Sequence, residues 1–340
     1  MNRRKFINAG SALTAGLIWT PKLSGAYHSD ESNYKKPPYL KYNDTIGITS
    51  PAGFITKEAI APAVQLIKDW GYKIKIGDTI GKRDFSFGGT DEERKNDFQQ
   101  MLDDASIKAI LCARGGYGIV RFIDQLNWEN FKKHPKWIIG FSDITVLHFH
   151  IHKHTKIASI HSKMINSFPD DWWKAEPIQR DTIISIKQAL NGTKMNYEAK
   201  PNISNKNGTA NGILIGGNLK LIESMAGTAS DITTDGKILF IEDTGEYLYS
   251  IDRMLWNLKR TGKLKKLAGL VVGGFRIKPD DPGEEFGRTL EQLVLEKVKL
   301  YDYPVCFDFP LGHQRANFAY KCGVRHRLQV QAGEVSLKEL

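Results

Sequence analysis

A chain of 340 residues with 41% hydrophobic and 25% charged side chains has enough apolar material for two ordinary domains, each with a core. The net charge is +10, but Arg3, Arg4, Lys5 and Lys22 supply four of those charges, and the +6 that remains suits acidic ligands without requiring nucleic acid. Cys112, Cys306 and Cys322 are too few for a disulfide framework, and no CxxC pair points to zinc. Cys112 lies in an apolar run and reads as a buried thiol; a Cys306–Cys322 bridge stays open for an oxidising compartment.

Residues 1–26 read as a signal rather than as fold. Asn2-Arg3-Arg4-Lys5-Phe6-Ile7 is a twin-arginine start, Ile7 to Trp19 is mildly apolar, and Ser24-Gly25-Ala26 suits a signal peptidase. The apolar stretch is too short for a permanent anchor. The mature chain is therefore expected in a bacterial periplasm with no membrane span; the alternative is a cytoplasmic protein with a basic tail.

Thr45–Thr49 predicts a first buried strand, followed by the loop Ser50-Pro51-Ala52-Gly53. Ile60, Val64 and Ile67 are spaced for a helix over Ala59–Trp70, and Tyr72–Ile76 is a second strand. Thr90-Asp91-Glu92-Glu93 is a capping box opening a helix through Phe98 and Leu102. Ile107–Cys112 is a third apolar run. It empties into Ala113-Arg114-Gly115-Gly116-Tyr117-Gly118, with a helix predicted over Ile119–Leu126.

Trp137–Ile139 is the fourth strand, and after Gly140 the apolar spacing becomes helical at Ile144, Leu147, His148 and Ile151. Ser142 stands at the corner, an arrangement resembling a nucleophile elbow, although Ile144 occupies the place of the second glycine in G-x-S-x-G. The plain alternative makes Ser142 a helix N-cap. Strand and helix alternate through residues 40–165, which predicts an α/β domain with a mostly parallel sheet and function at the carboxyl ends of its strands.

Residues 166–207 are polar and broken and predict a linker with one helix, Pro177–Leu190. A second domain, 208–335, opens with a strand ending at Gly216-Gly217-Asn218, Asn218 capping a helix that contains Leu219, Ile222 and Met225. Gly236–Asp243 is a strand ending in two carboxylates, and a helix from Ser250 carries Ile251, Leu255 and Leu258 on one face. Leu267–Val272, Val305–Phe309 and Val324–Val330 are further strands.

Glu242 ends an apolar strand, a costly place for a carboxylate without a partner. His313 follows another, in Pro310-Leu311-Gly312-His313. Ser…Glu…His is one order in which catalytic triads occur. The Asp143 N–H, at a helix start, is placed to face a developing oxyanion. The Arg114–Gly118 loop also opens a predicted helix and suits an anion, phosphate or oxyanion, but lacks both G-x-G-x-x-G and P-loop spacing. A nucleotide-binding protein, or a non-catalytic binder with the same cleft, is therefore the rival reading. His148, His150, His152 and His154 form two i,i+4 pairs pointing in different directions, without H-E-x-x-H; they read as polar positions along a partly exposed helix, with no metal.

The Ala113–Gly118 loop with Arg121, Gly140-Phe141-Ser142-Asp143, Gly216-Gly217-Asn218-Leu219, Phe240-Ile241-Glu242-Asp243, Ile251-Asp252-Arg253-Met254-Leu255 and Gly312-His313 follow one another along the chain. In these motifs and their order the chain resembles the bacterial LD-carboxypeptidases (murein tetrapeptide carboxypeptidases), from about Thr45 to about Leu328. That family includes the microcin C immunity peptidases, which cut a peptidyl-nucleotide. The resemblance implies a flavodoxin-like first domain similar to class I glutamine amidotransferases and a smaller, β-rich, barrel-like second domain. The site would lie between them, in a homodimer without metal or cofactor.

The resemblance also implies the roles. Ser142 is the expected nucleophile, Glu242 the acid that orients the base, His313 the general base, and the N–H groups of Gly116 and Asp143 the oxyanion hole. The expected substrate is a peptidoglycan stem tetrapeptide losing D-alanine. Two stretches depart from the family: His161-Ser162-Lys163-Met164 stands where His-Gly-Pro-Met is frequent, and Lys321-Cys322-Gly323 where a Pro-Leu-Gly-like turn is expected. Both bear on substrate subsites. The twin-arginine leader departs too, since relatives that recycle wall peptides act in the cytoplasm.

Overall fold

Short apolar runs separated by capped helices pair side by side when each helix is long enough to carry the chain back over the sheet. The computed structural model describes residues 34–340; the twin-arginine segment and its cleavage site lie outside the described residues. In chain order the first elements are β1 (Thr45–Thr49), α1 (Lys57–Asp69), β2 (Lys73–Ile76), α2 (Asp91–Asp103), β3 (Ile107–Cys112), α3 (Glu129–Lys133), β4 (Trp137–Gly140), α4 (Thr145–Thr155) and β5 (Ser159–His161). Thr56 caps α1 by accepting the Ala59 N–H at 3.1 Å, and Thr90 and Glu93 close the capping box of α2. The strands run parallel in the order β2-β1-β3-β4-β5, the flavodoxin-like order.

The chain continues through α5 (Pro177–Leu190), β6 (Asn196–Ala199), β7 (Gly208–Asn218), α6 (Leu219–Ser224), β8 (Ile238–Glu246), α7 (Leu248–Arg260), β9 (Gly269–Ile277), α8 (Leu290–Val298), β10 (Val305–Cys306), β11 (Tyr320–Cys322), β12 (Arg325–Val330) and β13 (Val335–Glu339). The second sheet has the order β10-β9-β8-β7-β12-β13-β6, parallel from β10 to β7 and antiparallel beyond. An isolated bridge joins Lys206, in the connection between β6 and β7, to Val305 of β10. β11 leaves this domain and pairs antiparallel with β5, completing the first sheet.

Three expectations change. Ile119–Leu126 is two 3-10 turns, Ile119–Arg121 and Ile123–Gln125, because Phe122 at φ −134°, ψ −4° breaks the path; Ile119, Phe122 and Ile123 are buried all the same. The stretch 166–207 does more than connect. α5 places Ile183, Ile186, Ala189 and Leu190 in the core beneath the first sheet, and β6 joins the second sheet. The histidine helix α4 is mostly enclosed: its residues 145–152 are buried between the two sheets, in an apolar cluster shared by Ile110 and Ile138 of the first and Ile215, Leu239 and Ile241 of the second, while Lys153 and His154 of its last turn are exposed. No helix among the described residues is long and apolar enough to cross a membrane.

Candidate active site

The carboxyl ends of β1, β3 and β4 converge on one rim of the first sheet. After Gly140, where a Cβ would lie 2.7 Å from Ile144, Phe141 is extended and Ser142 adopts φ +61°. A left-handed serine costs roughly 1–2 kcal/mol and persists only where the surroundings enforce it. Ser142 is therefore not an N-cap. It starts a 3-10 turn, Ser142–Ile144, that feeds into α4. The second domain packs on this corner: Asn218 donates its N–H to Thr145 Oγ1 at 3.1 Å, and a Cβ at Gly217 would lie 2.3 Å from the same oxygen.

The Gly-rich loop passes beside the serine. A Cβ on Gly115 would stand 3.1 Å from Ser142 Cβ, and Gly53 donates its N–H to the Gly115 carbonyl at 2.8 Å. Gly116 follows at φ +115° on the exposed side of the loop. The far end of the loop is tied down by Asp143, whose Oδ2 accepts the Ile119 N–H at 3.0 Å. Burial pushes this carboxyl up to about 6, against the opposing pull of the Ile119 and Gly118 N–H groups and of Arg94. Below the loop the buried Arg94 guanidinium donates to Pro51 O at 2.9 Å and Gly89 O at 3.1 Å, and pairs with Asp91. Arg121 also binds Asp91, at 2.8 Å.

From the second domain, β8 brings Glu242, fully buried, and its Oε2 is bonded to His313 Nδ1. Its other oxygen, Oε1, has no partner among the described residues. Gly312, at φ +87°, lies against this carboxylate: a Cβ there would be 2.3 Å from Glu242 Cβ. The adjacent Asp243 faces elsewhere, accepting from Asn218 Nδ2 at 2.8 Å and from the Lys220 N–H at 2.9 Å, and so pins the start of α6. The His313 ring lies 4.9 Å from the Phe141 ring, next to the serine corner. Among the described residues there is no direct Ser142–His313 hydrogen bond; the structure pairs Glu242 with His313 and sets the His313 ring against Phe141, the residue before Ser142.

Residues 46–162 match the family model of the LD-carboxypeptidase N-terminal domain, and residues 211–328 match that of the LD-carboxypeptidase C-terminal domain. The chain belongs to the LD-carboxypeptidase family. It is a serine-type carboxypeptidase, a hydrolase. It is 34% identical over 295 residues to the probable murein peptide carboxypeptidase of Bacillus subtilis (strain 168), covering 86% of this chain and 91% of that protein. Its fold is similar to the crystal structure of muramoyltetrapeptide carboxypeptidase from Oxalobacter formigenes, with TM-score 0.75 and 28% identity over 87% of this chain and 98% of that one. The microcin C7 self immunity protein MccF shares the fold, with TM-score 0.77 and 22% identity over 89% of this chain and 98% of that one.

Within this LD-carboxypeptidase fold the four histidines of α4 have separate partners. His148 Nε2 meets Gly140 O at 3.0 Å, His150 Nδ1 meets Ser230 Oγ at 3.0 Å, His152 Nε2 meets Ser159 Oγ at 3.1 Å and His154 Nε2 meets Ala229 O at 2.9 Å. Burial pulls His148 and His150 down to about 4, leaving both neutral. Cys306 and Cys322 share a core cluster as free thiols, like Cys112 elsewhere in the core. Sequence reasoning missed the Asp143 carboxylate as the tie between serine corner and Gly-rich loop, Asn218 as the donor to Thr145 of α4, and Asp243 as the group that holds Asn218 and the start of α6. It also missed Lys163 and Arg276 at the His313 turn. The signal available for Lys163 was its departure from the family pattern; nothing in the sequence marks Arg276.

Proposed function

We propose that this LD-carboxypeptidase removes the terminal D-alanine from peptidoglycan stem tetrapeptides, with Ser142 as nucleophile, His313 as general base and Glu242 holding His313 in its productive tautomer. His313 Nε2 takes the Ser142 proton as Oγ attacks the carbonyl carbon of the bond to D-alanine. The carbonyl oxygen becomes an anion facing the N–H groups of Gly116 and Asp143. Collapse breaks the C–N bond, His313 returns the proton to the departing amine, and water, activated by the same imidazole, releases the tripeptide and regenerates Ser142. The observation that carries this reading is the Glu242–His313 pair, which the second domain brings against Phe141, the residue before a serine held at φ +61°. The murein substrates named for the relatives support the substrate class.

Incubating the purified protein with stem tetrapeptide and measuring free D-alanine tests the reading. Release by wild type and at least about a thousandfold less by Ser142→Ala is expected; equal release by both refutes the serine mechanism, and no release by wild type refutes the substrate. The reading also includes a homodimer, checked by light scattering. It further places the mature enzyme in the periplasm, exported by the twin-arginine route and beginning at Tyr27. N-terminal sequencing of the periplasmic protein checks that, and a cytosolic chain still starting at Met1 would return the enzyme to the cytoplasm.

A further inference from the structure

The turn that carries His313 is gripped by two cations from different domains. Lys163, after β5, donates from Nζ to the Gln314 carbonyl at 2.9 Å, and Arg276, on β9, donates from Nε to the His313 carbonyl at 3.0 Å. Neither has a carboxylate partner among the described residues. Their like charges act on each other, and burial together with Arg276 holds the Lys163 ammonium below the usual lysine range. Arg276 is exposed and Lys163 half-buried, so water screens part of their charge, but no carboxylate among the described residues neutralises either, and together they make the ground beside the His313 turn positive. A cavity of about 430 Å³ opens on Lys163 and runs along Gln179 and Lys174 to Arg315. At its rim Arg315 is paired with Glu176 at 2.7 Å and Lys174 with Asp171 at 3.2 Å, so the uncompensated charge in the cavity wall is that of Lys163.

We propose that Lys163, supported by the field of Arg276, is a specificity-determining residue that binds a carboxylate of the peptide substrate in this cavity, next to the His313 turn. The inference rests on the peptidase reading above and deepens it. One of the three ammonium donors is spent on Gln314, leaving two to meet a carboxylate. A stem tetrapeptide offers that chemistry at two places, the terminal D-alanine carboxylate and the side-chain carboxylate of a diaminopimelate third residue. At either place the contact would make the enzyme read a charged group beside the bond it cuts.

Binding to full-length Ser142→Ala protein, measured by calorimetry so that turnover plays no part, tests this with three peptides. They are the stem tetrapeptide, its C-terminal amide, and the tetrapeptide with L-lysine in third place. The expected result is a loss of about tenfold to a hundredfold for the peptide lacking the recognised carboxylate. Lys163→Met should abolish that difference and Lys163→Arg should keep it. Weaker binding of the amide assigns the terminal carboxylate; weaker binding of the L-lysine peptide assigns the third-residue side chain. Equal binding of all three to the parent overturns the proposal, and this arm needs no Lys163 variant to fold. If Lys163→Met weakens all three alike, Lys163 merely braces the turn and the proposal also falls. Peptides that bind with this pattern yet are not hydrolysed by wild type would defeat the D-alanine reading and leave the carboxylate site standing; no binding of any peptide defeats both.

Discussion

Replacing Ser142 by glycine and by alanine separates the chemistry of its hydroxyl from the strain of its backbone. At φ +61° a side chain with a Cβ costs roughly 1–2 kcal/mol, which glycine escapes. Glycine gives back about 0.5–1 kcal/mol through the larger entropy of its unfolded chain. The glycine variant should therefore be about 0–1.5 kcal/mol more stable than the alanine variant, whereas at an unstrained position it would be about 0.5–1 kcal/mol less stable. Both variants lose the nucleophile and should turn over at least about a thousandfold more slowly. Urea denaturation is the better assay, because 1 kcal/mol moves the melting temperature of a chain this long by only about 2 °C. A glycine variant less stable than alanine would show that the corner stores no strain. Either variant working within tenfold of wild type would remove Ser142 from the chemistry.

Glu242→Gln keeps the shape of the pair but removes its charge; for a carboxylate about 4 Å from a developing imidazolium that is worth about 4 kcal/mol at an effective dielectric near 20, so kcat for D-alanine release should fall about a thousandfold, and turnover within tenfold of wild type would exclude Glu242. Asp143 is held up at about 6, above the 3.8 of an ordinary aspartate, so the native state binds its proton more tightly than the unfolded chain does, and the cost of ionising it grows as pH rises from about 4 to about 6. Asp143→Asn should therefore gain on the order of 1–3 kcal/mol relative to wild type between pH 4 and pH 7.5; a difference that stays constant in urea titrations at the two pH values would unlink this carboxyl from folding. Dialysis against a strong chelator should leave D-alanine release unchanged, since the histidines of α4 are bonded to four separate groups; loss of activity restored by zinc would reverse that reading.

The sequence by itself determined the elements whose cause is local. Thr90 and Glu93 satisfy the first N–H groups of α2 whatever the rest of the chain does, and Asn218 does the same for α6. Runs such as Ile107–Cys112 and Trp137–Gly140 have too few polar atoms to lie anywhere but in the middle of a sheet. Their spacing put the Gly-rich loop and Ser142 on one rim. What packs on a residue from far along the chain was not legible. The helix Thr145–Thr155 reads as half-exposed because nothing nearby shows that β7 and β8 of the second domain will cover its other side. The short β11 goes unread because Lys321, at its centre, looks like a surface residue until its buried pairing with Glu339 is seen. Glu242 and Asp243 adjoin on one strand, where the β8–β9 pairing is irregular, and take different partners, His313 and Asn218. Local rules supply both carboxylates. Only the tertiary structure decides which one meets His313, because that depends on the face the turn after β10 crosses, and a strand carries no mark of what will lie across it.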